Sequence, residues 1–373
     1  MEKEHIHYME LALDQARKGL GRTSPNPAVG AVIVKDGVVV GRGYHKKAGT
    51  PHAEVNALAD AGPRAAGATI YVTLEPCNHA GRTPPCTEAI LRSGIAKVVI
   101  GMADPNPHVA GGGSQYLASR GIEVHSGVLE QQCRALNYPF IKHTATGQPW
   151  VLMKAGLSLD GKITFRQRHG EAITGPEAQR YVHRLRDQVD AILVGVETAI
   201  IDDPNLTTRI EGGAETRDPL RVVLDTVLRL PPEARMLHQA STAETWIVCG
   251  EDAPREREAR LIDQGAKICR VAVNAEGRVE LSATLCLLGT HNITSLLVEG
   301  GARVHGAFYD RRLVDEVALL YAPFIIGDGG TPLVRGYRLE DGRAHAPFLR
   351  DVSVQLLGSD ILVRALTEAS CHD

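Results

Sequence analysis

The sequence has few aromatic residues, no surplus of basic charge and no regular cysteine pattern. Phe, Trp and Tyr make up 4% of the 373 residues. The formal net charge is -3, and the Lys and Arg residues form no dense cluster that could follow a phosphate backbone. The seven cysteines are an odd number without repeated spacing, which argues against a disulfide framework. We therefore expect no nucleic-acid partner and a reducing compartment.

Long apolar runs are also missing. No stretch approaches the roughly 18 apolar residues that suggest a membrane-spanning helix. Residues 1–20 mix charges throughout and lack the apolar centre of a signal peptide. We predict a cytoplasmic protein with no membrane partner.

Alternating strand and helix patterns fill the chain in two successive blocks. The apolar fraction of 43% and charged fraction of 23% are typical of globular proteins, and the length favours two domains. A polar segment with Gly and Pro, KHTATGQPW at residues 142–150, separates the blocks. The sequence predicts an α/β protein with domains at residues 1–146 and 147–373.

A histidine and a glutamate lie two positions apart in TPHAEVNALA, residues 50–59. Pro51 suits the first position of a helix and Thr50 its N-cap, which predicts His52 and Glu54 in the first helical turn. Side chains at a helix start lean toward the N-terminus. Both residues could therefore reach an ion just beyond the helix end.

Two cysteines flank one loop farther along the chain. Cys77 follows the strand pattern TIYVTL, and Cys86 follows two prolines at the start of a predicted helix. A thiolate is favoured at a helix N-terminus, and zinc accepts sulfur and imidazole ligands. Three protein ligands leave a fourth position for water, as in catalytic zinc sites. We predict that His52, Cys77 and Cys86 hold zinc and that Glu54 moves protons.

Each half of this pattern is weak alone, because a His-x-Glu pair is usually helix surface and a cysteine pair is usually core. Together they match the signature of zinc deaminases, although eight residues separate the cysteines here instead of two. One alternative is a nucleobase or tRNA deaminase with a non-catalytic nucleotide-binding second domain. Another is a binding protein in which His45 or His79 adds a fourth ligand to structural zinc.

The second block contains a glycine pair after a buried strand pattern. Gly300 and Gly301 follow SLLVE and precede a predicted helix whose first amides could receive phosphate oxygens. The segment lacks the Gly-x-Gly-x-x-Gly fingerprint, and paired glycines also arise from close packing alone. This motif by itself does not identify a cofactor.

Longer segments resemble one known family, the bifunctional deaminase/reductases of riboflavin biosynthesis. They are SPNPAVGAVIV, GYHKKAGTPHAEVNAL and EPCNHAGRTPPC in the first block, and LVGVETAIIDDPNLTTR and VVLDT in the second. The resemblance implies a cytidine-deaminase-like three-layer α/β/α domain followed by a dihydrofolate-reductase-like α/β domain. It implies zinc-dependent hydrolytic deamination of a diaminopyrimidinone ribosylamine 5'-phosphate, then reduction of the ribosyl group to ribityl by NADPH. We also expect a homo-oligomer.

The resemblance assigns roles to individual positions. The base and phosphate of the deaminase substrate would contact Asn26, His45, His79 and Arg82. The residues expected to line NADPH are Gly156, Thr198, Asp202, Thr226, Gly301, Ala302, Arg303, Val304, His305 and Gly306. The residues expected to line the reductase substrate are Lys154, Gly170, Arg186, Leu206, Arg209 and Glu299. Lys154 and Asp202 are the candidate proton donors in the reduction. NADPH rather than NADH is expected from the resemblance alone.

One segment departs from the family pattern. In RHGEAIT, Gly170 and Ala172 occupy positions where Ser and Trp are usual. Loss of the tryptophan removes a large flat surface beside the cofactor. The local shape of the nicotinamide or substrate pocket is therefore expected to differ.

Overall fold

Two large sheets organise the chain in the computed structural model, which describes residues 2–79, 84–106, 112–167, 170–212, 216–339 and 346–368. The chain divides into one unit at residues 1–147 and a second at residues 148–373. Each unit has its own sheet and its own apolar core.

The N-terminal unit is built on a five-stranded sheet. Its strands are β1 (Gly30–Lys35), β2 (Val38–Tyr44), β3 (Thr69–Leu74), β4 (Lys97–Met102) and β5 (Glu123–Ser126). Its helices are α1 (Glu2–Arg17), α2 (Ala53–Ala61), α3 (Cys86–Arg92), α4 (Gly113–Ser119), α5 (Glu130–Leu136) and α6 (Tyr138–Thr146). The strand order is β2-β1-β3-β4-β5, in which β1 is antiparallel to both neighbours and β3, β4 and β5 run parallel.

Helices pack closely on both faces of this sheet. A Cβ atom on Gly30 would lie 2.0 Å from the carbonyl oxygen of Ala12 in α1, and one on Gly43 would lie 2.3 Å from that of Ala53 in α2. Gly43 pairs with Ala31, so it faces the opposite side from Gly30. Helices α1 and α2 therefore cover opposite faces, which confirms the predicted three-layer α/β/α arrangement.

The C-terminal unit is built on a nine-stranded sheet. The strands of this unit are β6 (Trp150–Ser158), β7 (Lys162–Thr164), β8 (Ala191–Gly195), β9 (Leu220–Leu224), β10 (Thr245–Gly250), β11 (Lys267–Val271), β12 (Ser295–Val298), β13 (Glu316–Ala322), β14 (Thr331–Pro332), β15 (Arg350–Leu357) and β16 (Asp360–Leu366). Its helices are α7 (Pro176–Gln188), α8 (Val196–Asp202), α9 (Arg255–Ile262), α10 (Leu281–Thr290) and α11 (Ala302–Asp310). The sheet order is β11-β10-β9-β8-β12-β6-β13-β16-β15, while β7 and β14 form a separate pair.

Parallel pairing dominates the nine-stranded sheet. From β11 to β13 every neighbouring pair is parallel, and β16 and β15 add an antiparallel hairpin at one edge. Along β8, Ile192 and Val194 enter one apolar cluster while Ala191 and Leu193 enter the other. Both faces of the sheet are thus covered, as parallel sheets require.

The terminal hairpin is an element that the sequence analysis did not predict. Strand β15 is exposed at every position except its last. Val352, Val354 and Leu356 are 57%, 66% and 70% exposed. Their alternation places them on one face of an edge strand, where nothing in the described part of the unit buries them.

The described helices are too short to cross a bilayer. The longest, α1, has 16 residues, whereas a span needs about 20 apolar residues. The described residues therefore offer no candidate membrane-spanning helix.

Phe308 is completely buried in the C-terminal unit, and its replacement tests that core. We expect Phe308→Ala to lower the free energy of unfolding of this unit by about 3–5 kcal/mol, because a large cavity replaces the ring. Both tryptophans of the chain, Trp150 and Trp246, lie in this unit, so tryptophan fluorescence during denaturant unfolding reports on it alone.

The matched control is Phe348→Ala, since that ring is 53% exposed. Its cost should stay below about 1 kcal/mol. Equal losses of unfolding free energy for the two variants would contradict the complete burial of Phe308 in α11.

Candidate metal centre and cofactor cavity

One imidazole and two thiols converge in the N-terminal unit. The ligand atoms of His52, Cys77 and Cys86 all lie within 4.8 Å of one another. Nδ1 of His52 is 3.6 Å from Sγ of Cys77 and 3.3 Å from Sγ of Cys86. Two ligands of a tetrahedral zinc ion are separated by about 3.6 Å when the bonds measure about 2.2 Å. The cluster therefore fits zinc, and the described residues contain no second cluster of this kind.

The three ligands come from loop ends and helix starts. His52 is the N-cap of α2, Cys77 lies three residues beyond the end of β3, and Cys86 is the first residue of α3. The start of α3 at Cys86 confirms the predicted helix start. Since β3 ends at the carboxyl edge of the sheet, both cysteines lie at that edge.

The predicted start of α2 at Pro51 is wrong. The helix begins at Ala53, and His52 takes the N-cap position with extended backbone angles, φ -71° and ψ 169°. The hydroxyl of Thr50 donates to the carbonyl of Lys47 at 2.7 Å instead of capping the helix. This local turn competes with the capping role. His52 consequently precedes the helix, while Glu54 lies in its first turn.

Hydrogen bonds polarise the two thiols in opposite directions. The backbone N–H of Cys86 donates to Sγ of Cys77 at 3.4 Å. The hydrogen bond from the Cys86 thiol, followed by that from His52, lowers the pKa of Cys77 to about 4. The same thiol–thiol hydrogen bond raises the pKa of Cys86. The thiolate form of Cys77 is thus favoured, and the thiolate is the form that binds a metal cation.

Glu54 is enclosed beside the cluster. Its side chain belongs to a residue that is only 3% exposed. Burial raises the pKa of Glu54 to about 7, helped by the negative charge of Cys77. A carboxyl group with a pKa near neutrality can both accept and donate a proton.

His45 lies next to the cluster and has both ring nitrogens engaged. Asn26 donates from Nδ2 to Nε2 of His45 at 3.2 Å, so Nδ1 carries the proton and donates to the carbonyl of Pro51 at 3.3 Å. The ring meets that of His52 edge to face, with centroids 5.3 Å apart. Neither nitrogen is free to bind a metal, so His45 is not a fourth ligand.

The two other residues predicted to contact the deaminase substrate are His79 and Arg82. His79 is exposed and does not belong to the metal-binding cluster. Arg82 lies outside the described residues. The alternative of structural zinc with His45 or His79 as fourth ligand therefore gains no support from the described part of the chain.

A cavity of about 990 Å³ opens in the C-terminal unit at the carboxyl ends of β8, β9 and β12. Ligands of open parallel sheets bind at this edge. The predicted residues that line it are Lys154, Gly156, Arg186, Thr198, Asp202, Leu206, Arg209, Thr226, Glu299, Gly301, Ala302, Arg303, Val304 and His305. Residues from distant parts of the sequence thus meet around one space.

Two predicted residues do not line the cavity. A Cβ atom on Gly170 would lie 1.8 Å from Oδ1 of Asp202, and one on Gly306 would lie 2.0 Å from the carbonyl oxygen of Arg335. Gly306 therefore permits close packing against the backbone of Arg335, while exposed Gly170 lets the Asp202 carboxylate approach its backbone. Ala172 does line the cavity, so the departure from the usual tryptophan affects its wall directly.

A buried carboxylate gathers two cations at one end of the cavity. Oε1 and Oε2 of Glu299 lie 2.8 and 2.9 Å from Nε and a terminal nitrogen of Arg186. Nζ of Lys154 lies 3.4 Å from Oε2. Burial opposes ionisation of Glu299, but Arg186 and Lys154 hold its pKa well below the usual range. The carboxylate form of Glu299 is therefore favoured.

Several cavity residues were missed by sequence reasoning. They include Arg229, Asn274 and Arg278, which reach the cavity from segments that follow β9 and β11. No local motif marks them, and only the parallel order of the strands brings these segments together.

Two family models match the chain. The model of the cytidine and deoxycytidylate deaminase zinc-binding region matches residues 2–102, and the model of the RibD C-terminal domain matches residues 149–363. The first match contains all three ligands of the metal cluster, and the second contains the whole cavity lining.

Relatives of this chain match it almost end to end. The riboflavin biosynthesis protein RibD of Aquifex aeolicus is 40% identical over 358 residues, which cover 96% of this chain and 97% of that protein. The structure of Acinetobacter baumannii RibD superimposes with a TM-score of 0.86 at 37% identity, covering 98% of this chain and 99% of that one. The diaminohydroxyphosphoribosylaminopyrimidine deaminase/5-amino-6-(5-phosphoribosylamino)uracil reductase of Thermotoga maritima gives 0.84 at 36% identity, with the same coverage.

Metal analysis tests the cluster directly. Purified protein should contain about one zinc ion per chain, and Cys77→Ser or Cys86→Ser should reduce that content several-fold because a thiolate ligand is lost. Zinc is measured by inductively coupled plasma mass spectrometry, and circular dichroism checks that the variants fold.

Cys286→Ser is the control, since Cys286 is exposed and belongs to the other unit. It should keep the full zinc content. Full retention of zinc by Cys77→Ser and Cys86→Ser would rule out the cluster as the zinc site.

Proposed function

The chain belongs to the RibD family of bifunctional riboflavin-biosynthesis enzymes, and from this premise we propose that residues 1–146 form the deaminase domain and residues 147–373 the reductase domain. The division of the structure near residue 147 supports this assignment. The observation that carries the proposal is the three-ligand cluster beside buried Glu54 in one unit, together with the large polar cavity of the other.

The enzyme acts on a small phosphorylated pyrimidine. We assign its first reaction as hydrolytic deamination of a diaminopyrimidinone ribosylamine 5'-phosphate at the ring carbon that carries the exocyclic amine. Zinc, when held by His52, Cys77 and Cys86, lowers the pKa of a water molecule toward neutrality and so activates it for attack. A carbonyl group replaces the amine, which leaves as ammonia.

Glu54 moves the protons of this reaction. Its position in the first turn of α2, two residues after His52, places it at the edge of the metal cluster. Burial excludes competing solvent from the carboxyl group. Glu54 accepts a proton from the attacking water and returns it to the departing nitrogen.

Asn26 and His45 form the neighbouring part of the deaminase pocket. Their hydrogen bond leaves the side-chain oxygen of Asn26 available to accept a hydrogen bond from the pyrimidine ring. The roles of exposed His79 and of Arg82 toward the base and phosphate stay predictions of the sequence.

The second reaction reduces the ribosyl carbonyl to a ribityl hydroxyl. NADPH supplies the hydride. Lys154, held by Glu299 at the cavity wall, donates a proton to the oxygen that develops negative charge. Asp202 also lines the cavity and is the second candidate donor.

The two arginines assigned to the reductase substrate, Arg186 and Arg209, differ in how freely their guanidinium groups can bind it. Glu299 occupies two nitrogens of Arg186, so this side chain chiefly fixes Glu299. Arg209 is exposed at the cavity wall, where its terminal nitrogen lies 3.5 Å from His183 Nε2. Arg209 is therefore better placed to receive the substrate phosphate.

A nucleobase or tRNA deaminase with a non-catalytic second domain is disfavoured, because the RibD C-terminal model covers residues 149–363. The cytoplasmic location, the homo-oligomeric state and the absence of a nucleic-acid partner stay predictions.

Substitution of Glu54 with Gln tests the deamination. Glu54→Gln should lower the rate of ammonia release by about 10²- to 10⁴-fold while zinc stays bound, because the proton carrier is lost and the ligands are kept. The same protein should still reduce the deaminated substrate with NADPH, which serves as the internal control. An unchanged rate of ammonia release would contradict the role of Glu54.

Substitution of Lys154 tests the reduction. Lys154→Met should lower kcat for NADPH oxidation by about 10²- to 10⁴-fold if Lys154 is the proton donor. Lys162→Met removes the same charge outside the cavity and should leave kcat unchanged. Equal effects of the two substitutions would exclude Lys154 from the chemistry.

A further inference from the structure

Basic side chains line the cavity of the C-terminal unit at both ends. Beside β6, both Arg186 and Lys154 pair with the single carboxylate of Glu299. On the side of β9, Arg229 and Arg278 line the wall. Strands β12 and β8 separate β6 from β9, a distance of about 14 Å for three strand spacings. The cavity volume of about 990 Å³ lies at the upper end for ligand pockets, as a dinucleotide requires.

The order of features along the cavity orients a dinucleotide within it. Lys154, the first candidate proton donor, lies on β6 and pairs with Glu299, so the nicotinamide belongs at that end. Helix α11 begins after Gly301, at the end of central strand β12, and its first residues line the cavity. A helix start of this kind suits a pyrophosphate. The adenosine end consequently points toward β9.

A tightly hydrogen-bonded turn holds Arg278 at this end. Val279 donates from its backbone N–H to Oγ1 of Thr226 at 3.2 Å, which joins the turn to the end of β9. Oδ1 of Asn274 accepts from the backbone N–H groups of Glu276 and Arg278, each at 3.0 Å. Arg278 is exposed and forms no ion pair with any described residue. Its charge is therefore available to a ligand.

Arg229 approaches the same end from the segment after β9. One terminal nitrogen lies 2.9 Å from Oε1 of Glu197, and both side chains are 43% exposed. This pair orients the guanidinium while leaving its other donors uncommitted. Glu197 also lines the cavity, as does Glu276 beside Arg278.

The carboxylate that directly follows β9 is withdrawn from the cavity. Dinucleotide folds that take NAD commonly use an acidic residue near a strand end for that hydroxyl, and an arginine accommodates the 2'-phosphate of NADP. Asp225 follows β9 but is 0% exposed, and its Oδ2 accepts from the N–H of Leu230 at 2.7 Å. Its neighbour Thr226 lines the cavity instead.

We propose that Arg229 and Arg278, flanking Thr226, form the subsite for the 2'-phosphate of NADPH and select this cofactor over NADH. The inference rests on the proposed reductase function and adds to it the basis of cofactor choice. Two guanidinium groups supply planar pairs of donors to a dianionic phosphate, and the hydrogen bonds are charge-assisted.

Equilibrium binding to the full-length protein tests the subsite without turnover. Dissociation constants are measured for NADPH and NADH, and for the matched fragments adenosine 2',5'-bisphosphate and AMP, which differ only in the 2'-phosphate. Arg229→Gln and Arg278→Gln should each weaken NADPH and the bisphosphate by about 10- to 100-fold. Both should leave the affinities for NADH and AMP unchanged.

Two further variants distinguish loss of the 2'-phosphate contact from a general effect of removing positive charge. Arg260→Gln removes an exposed arginine of neighbouring α9 that does not line the cavity, and should change no affinity. Arg303→Gln, at the start of α11, should weaken NADPH and NADH alike, because both carry the pyrophosphate.

Two outcomes overturn the subsite. They are equal affinities of the unsubstituted protein for NADPH and NADH, and equal weakening of both cofactors by Arg229→Gln and Arg278→Gln. If the unsubstituted protein binds neither cofactor, the proposed reduction fails together with the subsite. Selective binding of NADPH without reduction of substrate would support the subsite and contradict only the proposed reaction.

Discussion

Parallel pairing of strands is the constraint on which both sites depend. When neighbouring strands run in the same direction, the segments that follow them emerge at one edge of the sheet. In the N-terminal unit this edge receives the segment after β3, which carries Cys77 and leads to Cys86. In the C-terminal unit it receives the segments after β8, β9 and β12, whose residues form the cavity wall.

The two sites also differ in whether their buried carboxyl group is paired with a cation. The side chain of Glu299 is almost fully buried, and its carboxylate form is favoured because Arg186 in α7 and Lys154 in β6 both pair with it. No Lys or Arg of the described residues forms an ion pair with Glu54, and burial shifts its pKa in the opposite direction, to about 7. The two carboxyl groups therefore suit different tasks: one positions cations, and the other carries a proton.

Much of the fold was predictable because strands and helices leave local patterns. The start of α3 at Cys86 follows from a helix-start signal that the structure confirms. The start of α2 was predicted wrongly, because the hydroxyl of Thr50 bonds to Lys47 within its own turn. The hairpin of β15 and β16 was missed, since the apolar residues of β15 alternate but remain exposed at an edge.

The sequence by itself identified His52, Cys77 and Cys86 as a candidate zinc site and Glu54 as its candidate proton carrier, because these residues lie in short motifs at helix starts and a strand end. It also located the glycine-rich start of α11. Only the tertiary structure decided that Gly306 serves close packing, that Glu299 holds Arg186, and that Arg229 and Arg278 share one end of a cavity. Those relationships depend on the order of strands in the sheet, which joins segments far apart in the chain and leaves no local pattern.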